Sequence, residues 1–219
     1  MRGKELLPRL HVVTDDSVLG RGGFEASARD VLAAGGPDVA LHLRGPGADG
    51  STLFSLAEAL LPAARRSGTL LFVNDRIDVA LAVGTDGAHV GQRSLGVRVA
   101  RELLGAGRWL GASVHGAAEA REAEAEGADY AFLGTIFPTP SHPEQAGMGL
   151  EGLAAVVGGA KSSRIVAIGG IDLARAADVL GAGAYGIAAV RGIWDSRDPA
   201  AAVGDYKEAI ASALATSTR

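Results

Sequence analysis

Two short apolar runs near the carboxyl end decide the fold, and each passes into glycine: Ile165-Val166-Ala167-Ile168-Gly169-Gly170 and Tyr185-Gly186-Ile187-Ala188-Ala189-Val190-Arg191-Gly192. Short apolar runs bounded by glycine are typical of buried parallel strands. Glycines after such strands let backbone amides approach a phosphate group, although they are also common in tight turns for geometric reasons alone. The runs predict two strands followed by a phosphate site, to which we assign Gly169, Gly170, Ala189, Val190 and Arg191.

The same alternation extends back to the amino end of the chain. Strand candidates lie at residues 10–14, 39–43, 70–73, 87–90, 109–113, 130–134, 165–168 and 186–190. Helix candidates lie at residues 25–34, 52–66, 79–82, 97–104, 117–126, 149–157, 173–180 and 200–213. Strands that alternate with helices predict a parallel sheet, and eight evenly spaced strands favour a closed barrel over an open doubly wound sheet. We therefore predict an α/β fold, a single (β/α)8 or TIM barrel.

Length and composition predict one folded domain. A chain of 219 residues is long enough for one core and short for two. With 47% hydrophobic and only 21% charged residues, the chain is unlike a disordered protein. The predicted TIM-barrel domain covers residues 1–219, with flexible ends at residues 1–9 and 215–219.

Composition and charge also argue against several kinds of function. The absence of cysteine rules out disulfides, thiolate metal sites and cysteine nucleophiles. A net charge of −4 without a basic cluster argues against nucleic-acid binding. No apolar run approaches the roughly 20 residues of a membrane-spanning helix, and residues 1–9 lack the apolar core of a signal peptide. We expect a cytoplasmic protein that binds neither nucleic acid nor membrane.

Charged and titratable residues lie near the ends of the second and fifth predicted strands. His42 and Arg44 are two positions apart and therefore share one face of the sheet. An inward Arg44 needs an anionic partner, which is Asp75, another inward acid or a bound phosphate. His115 follows the fifth strand, where its imidazole is placed to carry a proton or to cap the next helix. We assign His115 and His42 as catalytic candidates.

Further polar residues follow the third and sixth strands. Asn74 and Asp75 are candidates for substrate binding, with helix capping as the structural alternative, and Asp75 alone is a weak signal for Mg²⁺. A long segment rich in proline and glycine begins at Gly134 and predicts a loop over the active site. Its ligand-contact candidates are Thr139, Ser141 and His142.

Six motifs along the chain resemble those of one known superfamily. They are Leu10-His11-Val12-Val13-Thr14-Asp15, Asn74-Asp75-Arg76, Ala88-His89-Val90-Gly91-Gln92, Ser113-Val114-His115, Gly134-Thr135-Ile136-Phe137-Pro138-Thr139 and Ala167-Ile168-Gly169-Gly170-Ile171. Over residues 10–194 the chain resembles the superfamily of thiamine phosphate synthase and thiazole tautomerase. The resemblance implies a TIM barrel with vitamin B1 thiazole chemistry.

The departures from the synthase pattern favour the other branch of this superfamily. Synthases typically carry Gln-x-Arg-x-Lys in the second strand, an acidic residue soon after the Gly-Gln of the fourth, and Thr-x-Thr-Lys after the sixth. These groups serve a pyrimidine diphosphate and Mg²⁺. This chain differs from the synthase pattern at four positions, which are His42, Pro46, Ser94 and His142. Two lysines and one metal carboxylate are therefore missing.

Other positions resemble the tautomerase branch more closely. Residues 10–17, the His42 and Arg44 pair, and residues 113–115 match its motifs. Two features differ from that branch: Asn74-Asp75 has the synthase form, and Arg191 stands where the superfamily usually has a small residue. The balance predicts a thiazole tautomerase, an isomerase.

The tautomerase hypothesis gives each candidate residue a role. The protein aromatises a small phosphorylated thiazole carboxylate without a cofactor or metal. His115 moves the proton, while His42 and Arg44 position the carboxylate and the glycine loops hold the phosphate. Two alternatives stay open: a Mg²⁺-dependent thiamine phosphate synthase, and a catalytically silent protein that binds a thiamine precursor. The sequence also leaves open whether the protein forms a homodimer.

Overall fold

Eight parallel strands close into a barrel in the computed structural model, which describes residues 6–139, 146–160 and 164–217. The strands pair in chain order, and β8 pairs with β1 through Leu10 and Ile187. Their bounds are β1 Leu10–Val13, β2 Val39–Leu43, β3 Leu70–Asn74, β4 Gly87–Val90, β5 Trp109–Val114, β6 Tyr130–Leu133, β7 Ile165–Ile168 and β8 Gly186–Ala189. The predicted (β/α)8 barrel is confirmed.

Helices lie between the strands and cover the barrel. Their bounds are α1 Asp16–Leu19, α2 Phe24–Gly35, α3 Gly50–Ser67, α4 Ile77–Val83, α5 Val97–Leu104, α6 Ala117–Ala125, α7 Gly149–Ala160, α8 Ala176–Gly181, α9 Arg191–Trp194 and α10 Pro199–Ser217, with 3₁₀ turns at Gly36–Asp38 and Leu173–Arg175. The sequence prediction missed α1 and α9. Each is a single turn, too short to show a helical period.

Aromatic and imidazole rings fill the barrel interior. His11, His42 and Phe72 are fully buried there, and Tyr130 and Phe132 are nearly so. Gly111 on β5 makes room for this packing, since a Cβ at that position would lie 2.2 Å from Tyr130 Cζ. A second apolar layer, between the strands and the helices, contains Leu41, Leu71 and Leu110. The interior is therefore a packed core and not a pore.

The end of the barrel at the strand starts is closed by contacts between β8 and the segment before β1. The Tyr185 hydroxyl donates to the Leu7 carbonyl, and the Arg9 guanidinium stacks 4.5 Å above the Tyr185 ring. The opposite end, where the strands finish, stays open. In the part of the chain that the structure describes, no helix combines the length and apolar character needed to cross a membrane.

Candidate functional site

A cavity of about 800 Å³ opens at the carboxyl ends of the strands. This volume lies in the upper part of the range of roughly 300–1,000 Å³ that is typical of small-molecule sites. The charged residues on its wall are Asp15, Asp75, Asp172, Arg44, Arg76, Arg93 and Arg191. Four arginines over one mouth suit an anionic ligand, even though the whole chain has a net negative charge.

The loop after β7 requires its two glycines. Gly169 and Gly170 have φ angles of 101° and 64°, in the left-handed region that favours glycine. A Cβ on Gly170 would also lie 2.7 Å from the carbonyl oxygen of Pro138. The β6 loop packs directly against this turn, because the Phe137 amide donates to the Gly169 carbonyl. Both the phosphate prediction and the geometric alternative are compatible with these contacts.

The loop after β8 brings Ala189, Val190 and Arg191 to the same part of the cavity wall. Arg191 is half-buried and begins α9. Burial alone would raise the pKa of Asp15, but hydrogen bonds from Ser17 and Val18 outweigh it, and the charge of Arg191 lowers this pKa further. Arg191 thus faces Asp15 across the β1 and β8 loops.

Tyr206 of α10 lies behind both glycine loops. Its hydroxyl donates to the carbonyl of Ile171 at 3.1 Å. A Cβ on Gly192 would lie 2.2 Å from the Tyr206 hydroxyl oxygen. Burial, followed by the charge of Asp172, raises the pKa of Tyr206 to about 12, so the hydroxyl remains a donor. The buried Tyr206 side chain therefore packs between the β7 loop and the β8 loop.

Replacing Tyr206 with phenylalanine should lower the free energy of unfolding by about 1–3 kcal/mol, because the buried Ile171 carbonyl loses its donor. We also expect KM for a phosphate-bearing ligand to rise with little change in kcat. Urea unfolding and steady-state kinetics measure the two effects. Tyr185→Phe is the matched control, since it removes a hydroxyl donor at the closed end. An equal rise in KM in both variants would contradict the role of Tyr206.

Arg44 lies at the end of β2 with its backbone fixed and its guanidinium on the cavity wall. The buried Thr14 hydroxyl donates to the Arg44 carbonyl and accepts from the Arg44 amide, each at 2.8 Å. Within the described residues the guanidinium makes no ion pair, with Asp75 or with any other carboxylate. Such a group is available to an anionic ligand.

Asp75 follows β3 in a left-handed conformation, with φ 62°. This conformation is uncommon outside glycine, but aspartate and asparagine tolerate it. Its Oδ1 accepts from the Gly91 amide at 2.8 Å, which ties the β3 loop to the β4 loop. The carboxylate is exposed at the cavity, and the preceding Asn74 is buried on the same wall.

His115 lies on the cavity rim with 54% of its side chain exposed. Its amide donates to Glu119 Oε2, and its Nδ1 lies 3.4 Å from the same oxygen. The His115 side chain does not cap α6, because the N-cap of that helix is Gly116, without a side-chain hydrogen bond. Thr139 also lines the cavity, whereas Ser141 and His142 lie outside the described residues.

His42 lies below the cavity, inside the barrel. Its Nε2 is 2.8 Å from His11 Nδ1, and its Nδ1 is 3.0 Å from Asn74 Oδ1. His89 is also buried and bonds to the Ser113 hydroxyl at 2.9 Å. Burial is the main cause that lowers the pKa of these three histidines, to about 4 for His42. The interior therefore holds three neutral imidazoles.

These histidines should make the protein sensitive to acid. Folding lowers the pKa of the three histidines from 6.5. As the pH falls below 6.5, the unfolded chain therefore binds protons at these histidines before the folded chain does. Stability should be full above that pH and then fall by up to about 1.4 kcal/mol per pH unit for each histidine. Urea unfolding at pH 7.5 and 5.5 measures this loss. Equal stability at both pH values would contradict the prediction.

Several cavity residues escaped the sequence prediction. Asp15, Arg76, Arg93, Ser113 and Asp172 line the wall but had been given no ligand role. All five follow or end predicted strands, so their position was a usable signal. Arg76 is already engaged, because it makes a two-point salt bridge with Asp78.

The fold and the cavity together define a (β/α)8-barrel protein with a polar small-molecule site at the carboxyl face of its strands. The chain belongs to the thiamine monophosphate synthase family, whose model matches residues 10–193. It is 43% identical over 208 residues to the thiamine-phosphate synthase of Methanoculleus marisnigri, covering 94% of this chain and 97% of that protein. It is 44% identical over 195 residues to the synthase of Chloroflexus aurantiacus, covering 89% and 88%.

A solved structure agrees with this family. Thiamine phosphate pyrophosphorylase from Pyrococcus furiosus superposes with a TM-score of 0.81 at 33% identity, covering 94% of this chain and 96% of that one. A 3-hexulose-6-phosphate synthase, with a TM-score of 0.67 at 20% identity, shares only the fold.

The prediction of a thiazole tautomerase, an isomerase, is wrong. Relatives with 39–44% identity over most of the chain are named thiamine-phosphate synthases, which are transferases. The motif residues that favoured the tautomerase branch have local structural contacts. Asp15 caps α1 by accepting from the Val18 amide, Ser113 bonds to His89, and His42 is buried. The proton-transfer role of His115 and the carboxylate-positioning role of His42 belonged to that hypothesis and are not carried further.

Proposed function

We propose that this protein is a thiamine-phosphate synthase, which joins a pyrimidine diphosphate to a thiazole phosphate. The observation that carries the proposal is the 43% identity to a protein of that name across 94% of this chain and 97% of the relative. The match spans nearly the full length of both proteins, so it is not confined to one motif or one part of the barrel. A cytoplasmic location and a homodimer remain predictions from the sequence.

The reaction forms one bond and breaks another. The ring nitrogen of the thiazole forms a bond to the methylene carbon of the pyrimidine, while the bond from that carbon to the diphosphate oxygen breaks. The electron pair of the broken bond leaves with the diphosphate, and the thiazole nitrogen becomes positively charged. No proton needs to move, so the protein must chiefly orient two ligands and stabilise the departing negative charge.

The two anionic groups have separate places in the cavity. The loops after β7 and β8, with Gly169, Gly170 and residues 189–191, are suited to the thiazole phosphate, because their backbone amides can approach its oxygens closely. Arg44 and the exposed Arg93 line the cavity on the β2 and β4 loops. Their positive charges are suited to the diphosphate. Thr139, with Ser141 and His142 beyond the described residues, belongs to the loop proposed to contact either ligand.

The arginines compensate for the missing lysines of the synthase pattern. Pro46 and His142 supply no fixed positive charge, but Arg93 and Arg191 add two guanidinium groups to the wall. Ser94, at the position of the usual carboxylate, donates from its hydroxyl to the Asp75 carbonyl. The cavity thus keeps a positive field for a diphosphate with a different set of residues.

The described residues fit one Mg²⁺ ion held by a single carboxylate. Asp75 is exposed to the cavity and is fixed through Gly91, and a Mg²⁺ site commonly uses one or two carboxylates with substrate phosphates and water. Bound there, Mg²⁺ would neutralise part of the charge on the diphosphate. This proposal replaces the expectation that no metal takes part.

Product chromatography tests the function. The purified chain, the pyrimidine diphosphate, the thiazole phosphate and Mg²⁺ should together yield thiamine phosphate, and omission of either substrate or of Mg²⁺ should abolish it. Binding of both substrates without product would favour the catalytically silent alternative, for which the missing lysines are the motivating observation. Absence of both binding and product would refute both functions.

A further inference from the structure

A chain of hydrogen bonds runs from the closed end of the barrel to the cavity wall. It begins at the Pro8 carbonyl, which lies 3.1 Å from His11 Nε2. It continues from His11 Nδ1 to His42 Nε2 at 2.8 Å, and from His42 Nδ1 to the side-chain amide of Asn74, whose Oδ1 is the atom placed at 3.0 Å. We call these three side chains the histidine relay. The relay ends at the cavity, because Asn74 lies on its wall.

The Pro8 end sets the direction of the relay. A backbone carbonyl can only accept, so Nε2 of His11 must carry the hydrogen of that bond. If His11 is neutral, its Nδ1 then carries no hydrogen and must accept one from Nε2 of His42. If His42 is neutral as well, its own Nδ1 is bare and must accept from Asn74. A neutral relay therefore needs the NH₂ group of Asn74, and not its oxygen, beside His42.

The opposite amide orientation requires a buried cation. With the Asn74 oxygen beside His42, Nδ1 of His42 must donate, so either His11 donates from both of its nitrogens or His42 is itself doubly protonated. Both rings are fully buried, and burial lowers the pKa of His42 to about 4 and strongly lowers the pKa of His11. The titratable groups that act on it are His42 and His89, and both lower its pKa further, while only the Pro8 hydrogen bond raises it. The neutral arrangement is the stable one.

We infer that the histidine relay holds the Asn74 amide with its NH₂ group toward His42 and its carbonyl oxygen toward the cavity. The two amide atoms have nearly the same size and shape, so only the hydrogen-bond network distinguishes them. His11 and His42 are positioning residues in this account, because neither lines the described cavity. The Asn74 oxygen can then accept from a hydrogen-bond donor of the ligand or bind a cation, but it cannot donate to a phosphate oxygen.

Nitrogen-15 NMR of the full chain, labelled at histidine and free of ligand, tests the inference at pH 7.5. His11 and His42 should both be neutral and carry their hydrogen on Nε2. Variants His11→Gln and His42→Gln assign the signals. A hydrogen on Nδ1 of His42, or a doubly protonated His11, would overturn the inference. No substrate is present, so the result does not depend on synthase activity.

A substitution at the cavity end reverses the expected direction. In Asn74→Asp an ionised carboxylate can only accept, so the hydrogen of His42 should move to Nδ1 or His42 should become doubly protonated. His115 is the internal control, because it lies outside the relay beside Glu119, and its signal should stay unchanged. An unchanged His42 signal would contradict the proposed contact. The wild-type spectrum decides the question if this variant fails to fold.

Discussion

Replacing Arg44 with alanine should lower kcat/KM for thiamine phosphate formation by about 10²- to 10³-fold, the usual cost of losing one preorganised group that stabilises developing negative charge. Arg44 is fixed through Thr14 and has no carboxylate partner among the described residues, so its charge is free to face the diphosphate. Its removal leaves no buried acid unpaired. We therefore expect the free energy of unfolding to change by less than about 0.5 kcal/mol.

Two variants make the Arg44 result specific. Arg44→Lys keeps the charge but loses the planar two-point contact, so its activity should lie between those of wild type and Arg44→Ala. Arg29→Ala is the matched control, because within the described parts of the chain Arg29 forms an ion pair only with Glu25, on the exposed face of α2. Its kcat/KM should equal that of wild type. If Arg44→Ala kept more than about a third of the wild-type activity, the assignment to the diphosphate would fail.

The Asp75→Asn variant is expected to lose about 10²-fold or more in kcat/KM and to require more Mg²⁺ for half-maximal activity. Asparagine tolerates the positive φ of this position and can still accept from the Gly91 amide, so the loop should keep its conformation. Only the negative charge is lost. Activity measured over a series of Mg²⁺ concentrations separates a weaker metal site from a damaged fold.

A second aspartate provides the control for this measurement. Asp30→Asn removes an exposed carboxylate on α2, away from the cavity, and should leave the Mg²⁺ dependence unchanged. The same Mg²⁺ dependence in Asp75→Asn and wild type would mean that Asp75 does not hold the metal.

The barrel was predictable because its strands are short, apolar and bounded by glycine or polar residues. The bounds of β7 match the prediction at both ends, and those of β3 and β6 differ by one residue. The single turns α1 and α9 were not predictable, since four residues show no period. The position of Tyr206 was also hidden, because its contact with Ile171 joins residues far apart in the chain.

The candidate site was predictable in position but not in chemistry. Placing Arg44, Asp75 and the glycine loops at strand ends was enough to collect them around one cavity. The depth of His42 was not visible, because a two-residue period gives the face of a strand and not the layer of the barrel. The prediction of the tautomerase branch failed for a related reason. Motif residues such as Ser113 bond to buried neighbours, so their identity reflects packing as well as catalysis.

Phosphorus NMR of a single reaction tests the central claim most directly. With equal amounts of both substrates and Mg²⁺, the signals of the pyrimidine diphosphate and the thiazole phosphate should disappear together while free diphosphate and thiamine phosphate appear in equal amounts. Loss of diphosphate without thiamine phosphate, or no change beyond a sample without protein, would contradict a synthase.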